Sequence, residues 1–225
     1  AALKNAVVNY LKVLRNIDCH QEQVIITAGS RDALSLIGKV VLENKQGRSK
    51  VGQVALENPS YPPLHFGFKT QNCELSYCEI DQQGAIVPNQ SVDLVWLTTA
   101  KQYPLGVAMS TQRRLEWLNY SQTHQSWIIE DDYDSEFYYQ KTALASLFSM
   151  SKHNYGEDQQ RVILTGSFSK ILFRTLRLGF MVVPHVLVKP FHQAQQQLGN
   201  VASLPTQIVL ADFLKSRRFF SHMRK

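Results

Sequence analysis

The sequence contains few cysteines, no long apolar run and no dense block of positive charge. Its cysteines, Cys19, Cys73 and Cys78, are odd in number and lack the spacing of metal ligands, which favours reduced thiols over a disulfide framework. No stretch approaches the roughly 18 consecutive apolar residues of a membrane span, and the dispersed charges of residues 1–20 are not typical of a signal peptide. We therefore expect a soluble, cytoplasmic protein without a metal site.

The composition is that of a globular protein with a substantial core. The chain has 225 residues, of which 44% are hydrophobic and 19% are charged, and its formal net charge is +6. This mild positive charge would favour a phosphorylated ligand or a nearby nucleic acid. The pairs Arg113-Arg114 and Arg217-Arg218 are interpreted as solvated helix faces.

Strand and helix patterns alternate along the chain. Short apolar strands such as "QVIIT", "DLVWLT" and "RVILTG" show no polar alternation, which is typical of strands buried on both faces. Amphipathic helices are predicted between them, including one opened by Ser110 and a long one from about Pro190 to Lys215, while 151–160 is interpreted as a polar surface loop. The order predicts an α/β fold with three αβα layers around a mainly parallel sheet.

Two polar motifs follow predicted strands, and ligands of such sheets bind at the carboxyl ends of the strands. In "VIITAGSRDAL", Gly29 precedes a helix whose first amides, near Ser30 and Arg31, could bind an anion, although a plain turn with an N-cap also explains them. In "WIIEDDYDSEF", carboxylates crowd a strand end. A solvated acidic turn, a hard-metal site and a partner for a protonated heterocycle are the three interpretations.

The stretch "RVILTGSFSKILFRTLRLGF" places Lys170 after a strand, near Ser167, Ser169 and Arg177. An exposed surface lysine is the simple interpretation. The alternative is that the hydroxyls and the guanidinium bind a phosphate while the lysine amine captures an aldehyde. Pyridoxal 5'-phosphate (PLP) carries both groups, and its ring nitrogen requires a carboxylate partner. Tyr61, in "LENPSYPPLHF", could stack on the ring or pack in the core.

These motifs, in this order, resemble the large domain of fold-type I PLP enzymes of the aspartate aminotransferase superfamily. Finer features resemble the MocR/GabR group of GntR-type bacterial transcriptional regulators, in which a winged helix-turn-helix is joined to an aminotransferase-like domain. The segments that carry this second resemblance are "QYPLG", "EDDYDSEF" and "FFSHMRK".

The resemblance implies a role for each matching residue. Lys170 would form the internal aldimine, Asp131, rather than Asp132, would face the ring nitrogen, and Tyr133 would bind the ring 3'-oxygen. Tyr103 stands where aminotransferases carry an asparagine that contacts the same oxygen, and Tyr61 would stack on the ring. The phosphate would be held by the Ser30 and Arg31 amides, the Ser167 and Ser169 hydroxyls and Arg177.

The resemblance also implies a domain organisation and partners. Residues 1–215 would form the PLP-binding aminotransferase-like large domain, and 216–225 would begin a truncated small domain. We expect a homodimer, DNA binding through a domain that precedes Ala1, and PLP or a small amino compound as effector. Three hypotheses follow: a PLP-binding sensor domain without productive turnover, a PLP-dependent class I/II aminotransferase, and a degenerate fold that no longer binds PLP.

Overall fold

The computed structural model describes residues 1–43, 51–133, 145–199, 202–216, 218, 219 and 221. Short 3-10 turns occur at Gln21–Gln23 and Arg174–Leu176, and a π-helical segment, Gly38–Glu43, continues the second helix. The helices and strands, in chain order, are α1 (Ala2–Arg15), β1 (Val24–Thr27), α2 (Ser30–Ile37), β2 (Gln53–Glu57), α3 (Pro62–Lys69), β3 (Glu74–Cys78), β4 (Ile80–Asp81), β5 (Gly84–Ala85), β6 (Leu94–Leu97), α4 (Thr111–His124), β7 (Trp127–Asp132), α5 (Leu147–Tyr155), β8 (Val162–Ser167), α6 (Phe168–Ile171), β9 (Gly179–Val182), α7 (His185–Leu198) and α8 (Leu204–Lys215).

A seven-stranded sheet organises these elements, in the order β1-β9-β8-β7-β6-β2-β3. The five adjacent strands β8, β7, β6, β2 and β3 are parallel to one another, whereas β9 is antiparallel to both of its neighbours, β8 and β1. The prediction of a mainly parallel sheet is therefore confirmed, with β9 as its one reversed strand among the described residues. A separate hairpin pairs β4 with β5.

Helices cover both faces of the sheet, which explains why its central strands are apolar on both sides. One face is packed by α1, α4, α5 and α8, with Trp117 and Phe148 fully buried in its core. The other face is packed by α2, α3 and α7, with Phe68 and Phe191 fully buried. The predicted three-layer α/β architecture is confirmed, and it leaves the strand ends as the places where polar side chains can meet.

Local sequence signals define several helix ends. The side chain of Ser110 accepts a hydrogen bond from the Arg113 amide at 3.2 Å, so the predicted start of α4 is confirmed. Helix α1 buries Leu3, Val7 and Leu11 and ends at Asn16, which takes the left-handed conformation at φ 50°. Because asparagine tolerates this conformation better than most residues, it is a suitable helix terminator.

Two predicted elements were wrong. The single helix from Pro190 to Lys215 is instead two helices, because α7 ends at Gly199, whose φ of 64° closes the helix with a left-handed turn. Pro190 lies inside α7 rather than at its start. The loop predicted for 151–160 is partly helical, since α5 extends to Tyr155 and begins at a Ser146 cap that precedes the polar stretch.

Arg113 and Arg114 do not form a solvated helix face, because both are buried. The Arg114 guanidinium donates to the backbone carbonyl oxygens of Met109 at 3.1 Å and Thr99 at 2.8 Å, and it lies 3.6 Å from the Glu130 carboxylate, which compensates its burial. Arg113 donates to the Asp81 carboxylate at 2.8 Å. These two arginines therefore hold the start of α4 against neighbouring segments. Of the other predicted pair, Arg217 lies outside the described residues.

No helix in the described ranges is both long enough and apolar enough to cross a membrane. The proposed boundary at 215/216 stays a prediction, because most of 216–225 lies outside the described residues, as does the part of the acidic motif beyond Tyr133.

Candidate functional site

Three strand ends meet at one edge of the sheet. Thr27 of β1 lies opposite Gly179 of β9, and Gly179 lies opposite Ser167 of β8. On the other side of β8, Thr165 is paired with Asp131 of β7. The predicted glycine turn, lysine segment and acidic strand end are therefore brought to the same edge, although they are distant in sequence.

Glycines allow the turns at this edge to approach closely. A Cβ placed on Gly179 would lie 2.9 Å from the carbonyl oxygen of Gly166 and 3.6 Å from the Cα of Gly29. The end of β8 and the Gly29 turn therefore both approach the start of β9 closely at Gly179. Gly29 has φ 100° and ψ −178°, a conformation that is essentially restricted to glycine. The space on its free side is open, because an added Cβ would meet no atom within 4 Å.

Several hydrogen-bond donors surround these turns. The amides of Ser30 and Arg31 precede the first intrahelical bond of α2, which runs from the Ala33 amide to the Gly29 carbonyl. Ser167 caps α6 by accepting from the Ser169 amide at 3.2 Å, which leaves its hydroxyl proton available to donate. Arg177 is exposed in a left-handed turn that leads into β9. The arrangement is suited to an anion with several oxygens.

Asp131 lies among neutral donors. Its Oδ2 accepts from the Trp96 indole nitrogen at 3.1 Å, and its Oδ1 accepts from the Thr165 hydroxyl at 3.2 Å. Burial raises the pKa of the Asp131 carboxyl to about 6, although both hydrogen bonds and the positive charge of Lys170 lower it. A carboxyl in this environment would be stabilised in its ionised form by a cationic partner.

The carboxylates on either side of Asp131 point to the opposite face of the sheet, as strand alternation requires. Asp132 forms an ion pair with Arg15 of α1 at 2.9 Å, and both side chains are more than nine-tenths buried. Glu130 accepts hydrogen bonds from the amides of Leu147 at 2.8 Å and Phe148 at 3.0 Å, at the start of α5. Both acidic residues therefore hold helices against the sheet, and Asp131 alone of the three faces Trp96.

Lys170 lies at the end of a row of aromatic rings. Its Nζ is 4.1 Å from the centre of the Tyr133 ring, a cation–π contact. The Tyr133 and Tyr103 rings are 6.3 Å apart, and the Tyr103 and Tyr61 rings are 5.9 Å apart, both edge to face. The Tyr133 hydroxyl donates to the Lys101 carbonyl oxygen at 2.9 Å. Tyr61 is 41% exposed, so it is not the core residue of the alternative interpretation.

Glu57 is a buried carboxyl at this edge that the sequence analysis missed. It ends β2 and accepts from the Thr98 amide at 3.1 Å and from Gln102 Nε2 at 3.3 Å, and a short hydrogen bond joins it to the Thr98 hydroxyl. Burial raises its pKa to about 7, because the hydrogen bonds from Thr98 and Gln102 oppose the shift only in part. A charged residue at the end of the apolar strand "QVALE" was the available signal.

The Glu57 network positions the loop that carries Tyr103. Gln102 Nε2 also donates to the carbonyl oxygens of Pro59 at 2.8 Å and Tyr103 at 2.6 Å, while the Tyr103 amide donates to the Thr98 hydroxyl at 3.2 Å. Because the two Gln102 amide protons have these backbone acceptors, protonation of Glu57 leaves neither of them unsatisfied.

We expect Glu57→Gln to flatten the dependence of stability on pH. Since the Glu57 pKa is raised from its ordinary value of 4.5 to about 7, the folded protein holds a proton in this range that the unfolded chain releases. The wild type therefore loses stability as pH rises from about 4.5 to 7, by up to roughly 3 kcal/mol, and glutamine removes this loss. Urea unfolding at several pH values between 5 and 8 measures it. Glu74→Gln, at an exposed position, should run parallel to the wild type, and a parallel Glu57→Gln curve would contradict the expectation.

The entire chain, residues 1–225, matches the family described as aminotransferase class I and II. The chain belongs to the class I and II aminotransferase family. The described site residues lie at the strand ends of its α/β sheet, and the family fold implies dependence on PLP.

Curated relatives of this aminotransferase-family chain include MocR and HTH-type transcriptional regulators, which confirms the predicted resemblance. The chain is 31% identical to the probable rhizopine catabolism regulatory protein MocR of Rhizobium meliloti, over 99% of the chain and 43% of the relative. It is also 31% identical to the uncharacterized HTH-type transcriptional regulator YdeL of Bacillus subtilis, over 99% of the chain and 46% of the relative. The chain thus spans less than half of either regulator.

Solved aminotransferases share the fold. The crystal structure of LysN, an α-aminoadipate aminotransferase from Thermus thermophilus complexed with N-(5'-phosphopyridoxyl)-L-leucine, has a TM-score of 0.82 and 26% sequence identity. The match covers 100% of this aminotransferase-family chain and 55% of LysN. The predicted fold-type I architecture is therefore confirmed.

Proposed function

We propose that this chain holds PLP as the effector-sensing part of a bacterial transcriptional regulator of the MocR type. The observation that carries the proposal is the placement of Lys170 and Asp131 at neighbouring strand ends, beside the Gly29 turn, in a chain similar along its length to such regulators. The amine, the carboxylate and the anion donors match the aldehyde, the ring nitrogen and the phosphate of one small molecule.

The site fits PLP on several physical grounds. The open side of Gly29 gives a phosphate access to the first amides of α2. The raised pKa of Asp131, caused mainly by burial, identifies a carboxyl that a protonated ring nitrogen would ionise. When bound, PLP supplies an electrophilic aldehyde and an electron-withdrawing ring.

Each predicted residue then has a role within the proposal. The Lys170 amine would hold the aldehyde carbon covalently, and Asp131 would keep the ring nitrogen protonated. Tyr133 and Tyr103 would lie near the ring 3'-oxygen, and Tyr61, at the other end of the aromatic row, would contact the ring face. The phosphate donors would be the Ser30 and Arg31 amides, the Ser167 and Ser169 hydroxyls and the Arg177 guanidinium.

The regulatory role assigns the protein further partners. PLP itself or a small amino compound that reacts with it would be the effector, and binding would shift a homodimer between two arrangements of its DNA-binding parts. A protein with this role acts in the cytoplasm, on bacterial DNA. The second candidate function is that of a PLP-dependent aminotransferase, which the similarity to LysN favours.

A DNA-binding experiment tests the regulator against the enzyme. We expect the purified full-length protein to bind DNA from upstream of its own gene, with an affinity that PLP changes at least several-fold. Lys170→Ala should lose this response, whereas Lys69→Ala, an exposed lysine at the end of α3, should keep it. Fluorescence anisotropy of the labelled DNA measures the affinity.

A turnover assay completes this test. With amino acids and 2-oxo acids supplied together, the regulator is expected to show at most a single-turnover change in cofactor absorbance. Sustained product formation that Lys170→Ala abolishes, together with DNA affinity that PLP leaves unchanged, would support the aminotransferase and refute the regulator. If added PLP gives no protein-bound cofactor absorbance, both functions are refuted and a degenerate fold is favoured.

A further inference from the structure

Two histidines and a glutamate meet at the edge of the sheet opposite Lys170. His20 precedes β1, and His185 begins α7 directly after β9. Because Val24 and Val182 are paired at this edge while Thr27 and Gly179 are paired at the other, both histidines lie away from the PLP edge. Glu157 follows α5 and joins them, so that one ligand atom from each of the three residues lies within 4.8 Å of the other two.

The distance between His185 and Glu157 matches that of two neighbouring ligands in a tetrahedral metal site. His185 Nε2 is 3.4 Å from Glu157 Oε2. Zinc bonds of about 2.0–2.2 Å at tetrahedral angles separate neighbouring ligand atoms by roughly 3.3–3.6 Å, the same separation. His185 Nε2 is also buried and has no hydrogen-bond partner among the residues that the structure describes. A buried nitrogen that faces a carboxylate oxygen without a hydrogen bond is suited to sharing a cation with it.

Neighbouring charges orient both of these ligands. His185 Nδ1 lies 3.4 Å from Glu22 Oε1, so a proton on Nδ1 points toward Glu22 and leaves the Nε2 lone pair facing the cluster. Lys152 Nζ lies 2.8 Å from Glu157 Oε1, which leaves Oε2 for the histidines. This carboxylate–histidine arrangement is the one that holds metal-binding imidazoles in proteins.

The third ligand, His20, has room to complete the site. It is exposed, so its ring can approach the other two ligands without disturbing the core. A surface cavity of about 520 Å³ is lined in part by His20 and Glu22, so this side of the His20 ring is open to solvent. Three protein ligands leave a fourth tetrahedral position for water.

We propose that His20, Glu157 and His185 bind a divalent zinc ion. Two imidazoles and one carboxylate are ligands that Zn²⁺ accepts readily, and the 3.4 Å spacing favours its tetrahedral geometry. The ion would join three segments that are distant in sequence: the connection from α1 to β1, the connection from α5 to β8, and the start of α7. This site is independent of PLP and of the proposed regulatory function.

Zinc titration of the purified, untagged protein tests the site. After removal of metals with EDTA and dialysis, isothermal titration with ZnCl2 is expected to show one more bound Zn²⁺ per chain in the wild type than in His20→Asn or Glu157→Gln. Glu22→Gln, which removes only the partner of His185 Nδ1, should retain the site with affinity lowered roughly 10–100-fold. His124→Asn, a remote exposed histidine at the end of α4, should bind like the wild type.

Cobalt provides a readout of geometry that nonspecific binding does not imitate. Co²⁺ in the wild type should give the strong visible bands of tetrahedral coordination, and His20→Asn should lose them while keeping the metal-free melting temperature of the wild type. Equal zinc affinity and stoichiometry in wild type, His20→Asn and Glu157→Gln, or cobalt spectra typical only of the hydrated ion, would overturn the proposal. Because His20 is exposed, its variant keeps the test valid even if Glu157→Gln fails to fold.

Discussion

Lys170→Ala is expected to abolish the visible absorbance band of the PLP-loaded protein and the retention of PLP through gel filtration. The alanine side chain has no amine that could bond the aldehyde, while the phosphate donors at the Gly29 and Ser167 turns remain. Residual binding should therefore be noncovalent and reversible. Absorbance spectra before and after desalting measure the visible band. The cofactor content after denaturation measures how much PLP is retained.

Two comparisons make this result specific to Lys170. Borohydride should fix PLP to the wild type but not to Lys170→Ala, and peptide mass spectrometry should locate the modification on Lys170. Lys69→Ala, an exposed lysine at the end of α3, should resemble the wild type in every measurement. A variant that keeps both the band and the fixed cofactor would show that another amine holds PLP, and the assignment of Lys170 would be wrong.

Asp131→Asn and Asp132→Asn are expected to have opposite effects. Asp131→Asn should weaken PLP binding by roughly 10–100-fold and shift the absorbance band, because a hydrogen bond to a charged partner contributes about 1.5–3 kcal/mol. It should cost little stability, since asparagine can still accept from Trp96 or Thr165. Asp132→Asn should instead destabilise the fold by about 3–5 kcal/mol, because it breaks the buried ion pair with Arg15.

The pH dependence of PLP affinity sharpens this comparison. Since burial raises the Asp131 pKa to about 6, the wild type should bind PLP less tightly as the pH falls through that value and the carboxyl becomes protonated. Asp131→Asn should lack this component of the pH dependence, whereas Asp132→Asn should retain it. Fluorescence titrations with PLP and urea unfolding curves separate affinity from stability. If Asp132→Asn has the larger effect on PLP affinity, the wrong carboxylate has been chosen.

The sequence predicts the fold well where one local signal suffices. The apolar strands, the Ser110 cap and the alternation of strands and helices together indicate a three-layer α/β fold. The prediction of one long helix was wrong because Gly199 ends α7 despite a favourable helical pattern on either side. The φ of 64° that Gly199 adopts cannot be recognised from the sequence. The burial of Arg113 and Arg114 was missed because several of their acceptors are backbone carbonyls, which leave no signal in the sequence. The Asp81 carboxylate that pairs with Arg113 lies 32 residues away in sequence.

The residues of the candidate site could be proposed from the sequence, but their supporting contacts could not. Lys170 and the acidic strand end stand out because each follows or ends a strand that is otherwise apolar. The partners of Asp131 depend on which strands neighbour β7, so Trp96 and Thr165 could be named only from the sheet order. Glu57 meets Thr98 for the same reason, through the pairing of β2 with β6. His20, Glu157 and His185 form no motif, since they come from three distant segments.

The three consecutive carboxylates of β7 also determine how this strand can be aligned. Glu130 and Asp132 bind α5 and Arg15 on one face, while Asp131 meets Trp96 on the other. A slip of one residue against β8 would turn two charged side chains toward Trp96 and place Asp131 among donors that no longer match it. Misaligned pairings therefore incur the cost of burying unpaired charge, so these acidic residues favour the correct strand alignment during folding as well as holding the neighbouring helices in place.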